Sequence, residues 1–527
     1  MNIKILRYKQ SFCFTDSDTL IALVAIFVGI FLRFNDLDYL SLWSDELFSV
    51  ATALDVGKGK HWYDIVPKVI QELDYGDSFL TWKAADNTPP LFEGVLFFWA
   101  LVFGDSDFSL RSLNAFLGSL VPIIFYFSIR RSIGSHSALI GTIFLAFSPS
   151  AIYYSQEVRA YGLAVFFATI AVTQLVSAIA HEYGLEPVNH NINKNNRISY
   201  HVIILLFLSY SHYTGLFLAG LIAGIYLSFI SIPRRKYSDI MFFLLIPALV
   251  LPWIYLSFKA FKFSSEGGYA WRDYTITDVY QIMIPQAADF FMPNFGMSLI
   301  LIALLFVVIS IIILTREGFF NNSISISFIN KRIVKIVLNL LLIFSVLFLF
   351  FYSVYNAFTS KMWHPRYFAV ALPVFAASLS IFYSIITTNK RRIWIFTFPI
   401  IAVVSVNFYF EINEKAPKEQ YREAALFISD QIQPGDVIII GWTPSEALYR
   451  HYLDKFTDSD IDYSIIGVRT LGDASALCDK LEIGPSYFVF QHAHQSKYFK
   501  ALEECKFETE SVAKVFYNIL VYKFTRL

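Results

Sequence analysis

Cysteine is nearly missing from this chain, with 3 copies in 527 residues, and charge is scarce, since Asp, Glu, Lys and Arg together make up 16%. Neither sign prevails: 42 basic residues face 42 acidic ones, so net charge gives no pointer to nucleic acid. Metal-binding Cys/His spacing is absent, and His492 and His494 in "QHAH" read as a strand end. A Gly-rich phosphate loop is absent too. Loops with basic flanks are at most roughly twenty residues long, too short to carry a nucleotide-binding domain. Both absences argue against a soluble, nucleotide-activated substrate.

What the chain has in excess is apolar: 56% of residues are hydrophobic, 54 are Phe, and the mean hydropathy is +0.52. This profile predicts a polytopic α-helical membrane protein. A span needs about 20 apolar residues, and candidates fall near 19–37, 108–130, 135–154, 160–181, 239–258, 296–314, 336–355, 369–388 and 394–411. The run Ile198 to Ile232 has 35 residues. As one helix it would measure about 52 Å, so two short spans turning near Ser209 to Gly215 are expected, for about 11 transmembrane helices in all.

The short basic loops "KILRYK", Arg130-Arg131, "KNNR", "PRRK", "NKRIVK" and "NKRR" mark the cytoplasmic side. The first outer loop (35–90), the "YYSQEVRAY" turn, an outer flap (259–295), "SKMWHPRYF" and the tail then lie outside a plasma (inner) membrane that the chain crosses many times. Pro90 to Gly104, apolar but about 22 Å long as a helix, is expected to lie along the outer surface as a juxtamembrane helix, because a crossing there would invert every later loop. The basic start and first apolar run are followed by "NDLDYLSLW" and no small-residue cleavage site, so the first helix is expected to be retained. Residues 1–411 form the transmembrane module. In residues 412–527, "DVIIIG" and "SYFVF" alternate with helix-like "KEQYREAALFISDQI", "SEALYRHYL" and "SKYFKALEECK", which predicts an extracytoplasmic α/β domain. Cys478 and Cys505 both fall in it, where an oxidising compartment permits a disulfide, whereas Cys13 is an ordinary thiol on the other side.

Polar groups gather at the outer ends of the spans. Asp45 and Glu46 are adjacent in "LSLWSDELFSV"; Gln156, Glu157, Arg159 and Tyr161 crowd the turn "SPSAIYYSQEVRAYG"; Lys361, His364 and Arg366 open the tenth span in "SKMWHPRYFAVALP". The second group is either solvated loop charge or inward-facing chemistry, and the third either a basic interfacial anchor or part of a site. Carboxylates facing guanidinium and ammonium groups that can hold a lipid phosphate suit glycosyl transfer. A carboxylate base takes the acceptor's proton and the cations stabilise the departing phosphate. On a helix Asp45 and Glu46 point in different directions, which lets one act on substrate while the other pairs with a cation. Asp45, Glu46 and Glu157 offer oxygen ligands suited to Mg²⁺ or Mn²⁺, and the need for an ion stays open. "FSSEGGYAWRDYT", with Gly267-Gly268, has the composition of a mobile flap or of a passive connector.

"WSDELFSV", "NTPPLFEGVLFFWALVFGDSDFSLR", "SPSAIYYSQEVRAYGL", "HYTGLF" and "HPRYFAVALPVF", in this order and spacing, resemble the bacterial branch of the GT-C glycosyltransferases. This is the dolichyl-phosphate-mannose-protein mannosyltransferase-like superfamily, which includes the lipid A aminoarabinose transferases, and the resemblance covers residues 20–373. It implies a polyprenyl-phosphate-linked sugar donor, inversion at the anomeric carbon, Asp45 as catalytic base and Glu46 as its neighbour. Gln156, Glu157, Arg159 and Tyr161 become the second wall of the site, Arg366 a contact of the donor phosphate, and Lys361 and His364 its neighbours. Relatives often carry a basic residue directly before the Pro-Pro pair. Here that position is Thr88, with Lys83 or Arg272 as substitutes. Partners implied are the donor, a glycan, lipid or protein acceptor, and the bilayer, with no nucleic acid. The rival readings are a polyprenyl-linked oligosaccharide polymerase or ligase, and a lipid or glycan transporter, which would place ionisable groups at the bilayer midplane and show repeated halves.

Overall fold

A computed structural model describes residues 17–57, 71, 73, 75–185, 194–266, 273–291, 331–360, 363–386, 418–440, 446–458, 460–467, 485–491, 507–509, 514–517 and 519–526. Seven helices among them are long and apolar enough to cross a membrane. Helices α1 (Ser17–Phe34), α2 (Ser44–Leu54), α3 (Phe79–Asp86), α4 (Leu91–Phe103), α5 (Asp107–Ile133), α6 (Ser135–Phe147) and α7 (Ala160–Glu182) build the first half. Helices α8 (Lys194–Ser211), α9 (Tyr213–Tyr226), α10 (Ser238–Glu266), α11 (Ile284–Phe291), α12 (Lys331–Ser360) and α13 (Leu372–Ile386) follow. Nine of these occupy expected span positions, and the spans expected at 296–314 and 394–411 lie outside the described residues.

One span is shorter than expected, and another run breaks within the stretch where a turn is expected. The helix expected over 135–154 stops at Phe147, because Pro149 has no N–H to continue the ladder; it instead opens a separate turn, Pro149–Tyr153, capped by Ser148. The long run from Ile198 breaks at the single extended residue His212, whose ring nitrogen accepts from the Thr214 N–H. Gly215 permits the reversal there, since a Cβ at this position would stand 2.4 Å from the Leu208 carbonyl oxygen.

The two ends of the bundle carry different chemistry. Near the start of α1, Thr19 bonds Tyr126 and Arg130, and Asp18 pairs with His136. At the finish of α1, Arg33 is buried and donates to the carbonyls of Gly29, Leu145 and Ala146, satisfying the end of α6. The basic residues Arg130 and Arg234 therefore sit at the end opposite to α2, as the loop charges require; Arg234 pairs with Glu182 at the finish of α7.

Helix α4 is 13 residues long, about 20 Å, with Phe92 and Leu96 fully buried while Phe98, Leu101 and Val102 are at least 67% exposed. A helix apolar on both its packed and its outer face suits a lipid boundary. The outer flap is more ordered than a loop: from Ile276 it is helical, and α11 docks through Ser150 Oγ to the Phe290 carbonyl and Trp363 Nε1 to Gln286. Gly267, Gly268 and Arg272 lie outside the described residues.

In the tail, β1 (Val437–Ile440) lies between and parallel to β2 (Ser464–Gly467) and β3 (Pro485–Gln491). Strand β6 (Ile519–Arg526) runs antiparallel to β3 and to the short strands β4 (Phe507–Thr509) and β5 (Lys514–Phe516). Helices α14 (Tyr421–Ser429) and α15 (Glu446–Phe456) accompany the sheet. Tyr421, Ile428, Tyr449 and Leu453 belong to one apolar cluster with Ile438 and Val521 of the sheet and with Leu42, Leu47 and Trp82 of the first outer loop. The α/β tail is thus packed onto that loop. Cys478, Cys505, His492 and His494 lie outside the described residues.

Close helix packing yields a stability test. A Cβ on Gly141 in α6 would fall 2.5 Å from Phe125 and 2.7 Å from the Ala376 carbonyl oxygen. Gly141→Ala is expected to cost about 1–3 kcal/mol, seen as a lower thermal midpoint of the purified protein in detergent. An unchanged midpoint would refute this packing.

Candidate active site

Helix α2 places the two adjacent carboxylates. Its N-terminus is closed by Glu46, which accepts from the Trp43 N–H at 3.2 Å, and the first turn sends Asp45 and Glu46 to different neighbours. Asp45 retains 23% side-chain exposure and pairs with the Arg366 guanidinium, whereas Glu46 has none. Arg159 donates to the Asp45 carbonyl at 3.0 Å and to Ser49 Oγ at 2.9 Å. Arg366 lies over the rings of Trp43 and Tyr161, and Nε of both Arg366 and Arg159 is buried without a hydrogen-bond partner among the described residues. Burial pushes the Asp45 carboxyl up, but Arg366 and Arg159 together outweigh it and hold it below the ordinary range. His364, whose ring nitrogen accepts from the Arg366 N–H, is pushed down to about 3, by burial first and then by Arg366. His212, beside Tyr161 with ring centroids 5.1 Å apart, is also lowered to about 3 by burial, Arg159 and Arg366. Both imidazoles are neutral at pH 7.

Glu46 faces inward. Its Oε1 accepts from Arg111 Nε at 2.9 Å and from the Val158 N–H at 2.9 Å, and its Oε2 from Arg111 Nη2 at 2.6 Å. Arg111 also donates to the carbonyls of Leu37, Leu40 and Ser41. Lys418, just before α14, lies 3.6 Å from Glu46 and 3.1 Å from Glu157. Burial opposes ionisation of Glu46, yet Arg111 and Lys418 bring its carboxyl down to about 2.

The wall expected from Gln156, Glu157, Arg159 and Tyr161 is only partly a wall. Gln156 is a correction in part: its amide nitrogen donates to the carbonyls of Leu32 and Asn35, so it caps α1 and is not free to hold substrate. Glu157 is buried against Lys418, and Tyr161 packs under Arg366. The turn itself is held by Asn114, which donates to the carbonyls of Glu157 and Arg159, and by the close approach of Gly118 to Ser155. Lys83 is no phosphate grip. It is fully buried and bound to Asp86 at 2.7 Å, to Glu93 at 2.9 Å and to Thr88, and Glu93 in turn accepts from Ser49. Lys361 and Arg272 lie outside the described residues.

A divalent ion does not fit the oxygens the sequence offered for it. Asp45, Glu46 and Glu157 each face a cation, and no group of three metal-ligating side chains forms among the described residues. What the site presents is one partly exposed carboxylate beside two guanidiniums with donors to spare, above a sealed ionic layer. Sequence reading gave no role to Arg111, Lys418 or His212, although Arg111 closes and His212 opens a motif quoted for the resemblance. Arg111 had a signal, a guanidinium one turn inside an apolar span; Lys418 had none.

The sealed layer has measurable consequences. Arg111→Met is expected to destabilise the protein by about 3–5 kcal/mol, and Arg111→Met with Glu46→Gln by much less than the sum of the single changes, read by denaturant unfolding in a double-mutant cycle. Because the folded-state pKa of Glu46 lies below its ordinary value of 4.5, the stability it contributes is complete above that value and is lost as pH falls towards about 2. Additive single mutants would refute the pairing.

No family model and no curated protein matches the sequence. Among solved structures the chain is similar to the Archaeoglobus fulgidus oligosaccharyltransferase complexed with zinc and sulfate, at 12% identity over 89% of this chain and 68% of that one, with a TM-score of 0.48. It is also similar to ArnT from Cupriavidus metallidurans bound to undecaprenyl phosphate, at 12% identity over 96% and 97%, TM-score 0.44. A third is the S. cerevisiae protein O-mannosyltransferase complex bound to its sugar donor, at 20% identity over 46% and 34%, TM-score 0.33.

Proposed function

We propose that the chain is a membrane glycosyltransferase that moves a sugar from a polyprenyl-phosphate donor to an acceptor hydroxyl, with inversion, at the extracytoplasmic end of the helical bundle. The observation that carries this reading is the pairing of the partly exposed Asp45 carboxylate with Arg366 beside Arg159, which holds the Asp45 main-chain carbonyl, both guanidiniums having an Nε without a partner among the described residues, at the ends of apolar helices. A phosphate with its lipid chain in the bilayer reaches such a place from the side.

At rest Arg366 holds the Asp45 carboxylate and lowers its basicity. An arriving phosphodiester draws Arg366, because a guanidinium binds phosphate oxygens bidentately, and this frees Asp45 and raises its proton affinity. The acceptor oxygen then attacks the anomeric carbon from the face opposite the phosphate. The carbon–oxygen bond to phosphate breaks, its electron pair stays on the phosphate, and the acceptor proton passes to Asp45. Arg366 and Arg159 neutralise the charge that develops on the leaving group. His212, beside Tyr161, and His364, beside Arg366, are neutral and add no charge.

Membranes containing the chain, given labelled polyprenyl-phosphate sugars, are expected to show transfer that Asp45→Asn lowers by about 10²-fold or more, with the protein still folded. Arg366→Lys is expected to raise the donor KM, since an ammonium cannot offer the paired donors. Full activity in Asp45→Asn would remove the proposed base. Use of pyrophosphate-linked glycans in place of monophosphate-linked sugars would reassign the chain to the polymerase or ligase class.

A further inference from the structure

We infer that Lys418 of the tail is a positioning residue for the proposed base, so that the docked α/β domain is a working part of the site and not an appended recognition module. This inference rests on the assignment of Asp45 made above. The tail meets α2 through two consecutive residues acting from two sides. Glu419 accepts from the Ser44 N–H at 3.4 Å and its carbonyl accepts from Ser41 Oγ at 2.6 Å, which puts a carboxylate at the N-terminus of α2, where the exposed helix N–H groups favour it. Lys418 reaches past the ring of Trp43, 5.7 Å away, and that of Tyr153, 5.2 Å away, to stand between Glu46 and Glu157.

Those two carboxylates belong to different elements. Glu46 is in the first turn of α2 beside Asp45; Glu157 is in the turn that ends at Arg159. Both are almost completely buried, so without a cation between them they repel and the two elements part. Of the two carboxylates, Arg111 reaches only Glu46. Other bonds already link the turns, from the Val158 N–H to Glu46 and from Arg159 to the Asp45 carbonyl and Ser49; Lys418 is the cation that both buried carboxylates share, and it comes from the other domain. The rest of the interface holds it in place: Arg422 donates to the Asp38 and Tyr39 carbonyls and to Asp107, and Tyr452 bonds both Asp107 and the Leu42 N–H.

The test uses the full-length protein in detergent or nanodiscs with Lys418→Met, Lys418→Arg and Lys455→Met. Lys455 is a control in the same interface, bonded to the Asp105 carbonyl and remote from the two glutamates. Hydrogen exchange at the Val158 and Ser44 amides is expected to speed up about tenfold or more in Lys418→Met, and to stay at the wild-type rate in Lys418→Arg and Lys455→Met. With a labelled polyprenyl-phosphate sugar that the wild type transfers, Lys418→Met is expected to lower kcat about tenfold with donor KM within about twofold, and Arg to restore it. Unchanged exchange in Lys418→Met, equal loosening in Lys455→Met, or no rescue by Arg would each overturn the inference. If the wild type transfers none of the sugars, the function proposed above fails while the exchange measurement still decides the role of Lys418.

Discussion

Everything at this end of the bundle depends on one buried ion pair, Glu46 with Arg111. Arg111 places all five of its N–H donors: one from Nε and one from Nη2 go to Glu46, and the remaining three go to the carbonyls of Leu37, Leu40 and Ser41. The segment from α1 to α2 is irregular, so its carbonyls have no ladder of their own to satisfy them. A guanidinium projecting from the first turns of a long spanning helix supplies what a helix or sheet otherwise would. Glu46 then returns the favour to the neighbouring turn by accepting the Val158 N–H. Three chain segments, 37–46, 107–111 and 157–159, are thereby fixed relative to each other by charge-assisted bonds as well as by the apolar packing of Leu42, Leu110 and Val158.

That arrangement explains why two adjacent acids behave differently. Successive residues on a helix point about 100° apart, so when Glu46 is turned into the packing, Asp45 must face the rim. Sealing the first gives the second a rigid mount. The proposed base therefore sits on a turn anchored at the Trp43 and Ser44 N–H groups, the Asp45 carbonyl and the Glu46 carboxylate, and its own carboxylate, paired with Arg366, is the group that a substrate can release. Rigid support beneath one movable ion pair is what a site needs if substrate is to switch the base on by taking its partner.

Hydropathy made the helical module legible, and the charged loops gave the relative direction of its ends, because both signals are local in sequence. The strands at Val437 and Pro485 and the helices at Tyr421 and Glu446 were legible for the same reason. Partnerships were not. Glu46 and Arg111 are 65 positions apart, and Asp45 meets Arg366 across 321. Gln156 looks like a substrate ligand in sequence, yet its amide caps α1, since a polar side chain in a turn answers to whichever carbonyls are orphaned beside it. Lys83 looks like a free cation near the Pro-Pro segment, yet Asp86 and Glu93 enclose it. Composition reveals that a charge is present; only the fold reveals whether the charge has an owner.

In the proposed reaction, charge balance favours a carboxylate placed beside two guanidiniums. Before transfer the ionised carboxylate and a phosphodiester together carry two negative charges, opposite Arg366 and Arg159. During transfer the phosphate gains a second negative charge as the sugar leaves, and Asp45 loses its own by taking the acceptor's proton. The sum facing the two cations never changes. Any base would conserve the sum; what a carboxylate adds is that the sum is minus two, equal and opposite to the two guanidiniums, in a partly buried site where uncompensated charge is costly. A neutral histidine base would make the sum minus one and leave one guanidinium uncompensated before and after transfer. Burial and the two arginines keep His212 and His364 neutral, and so keep them from competing for that proton.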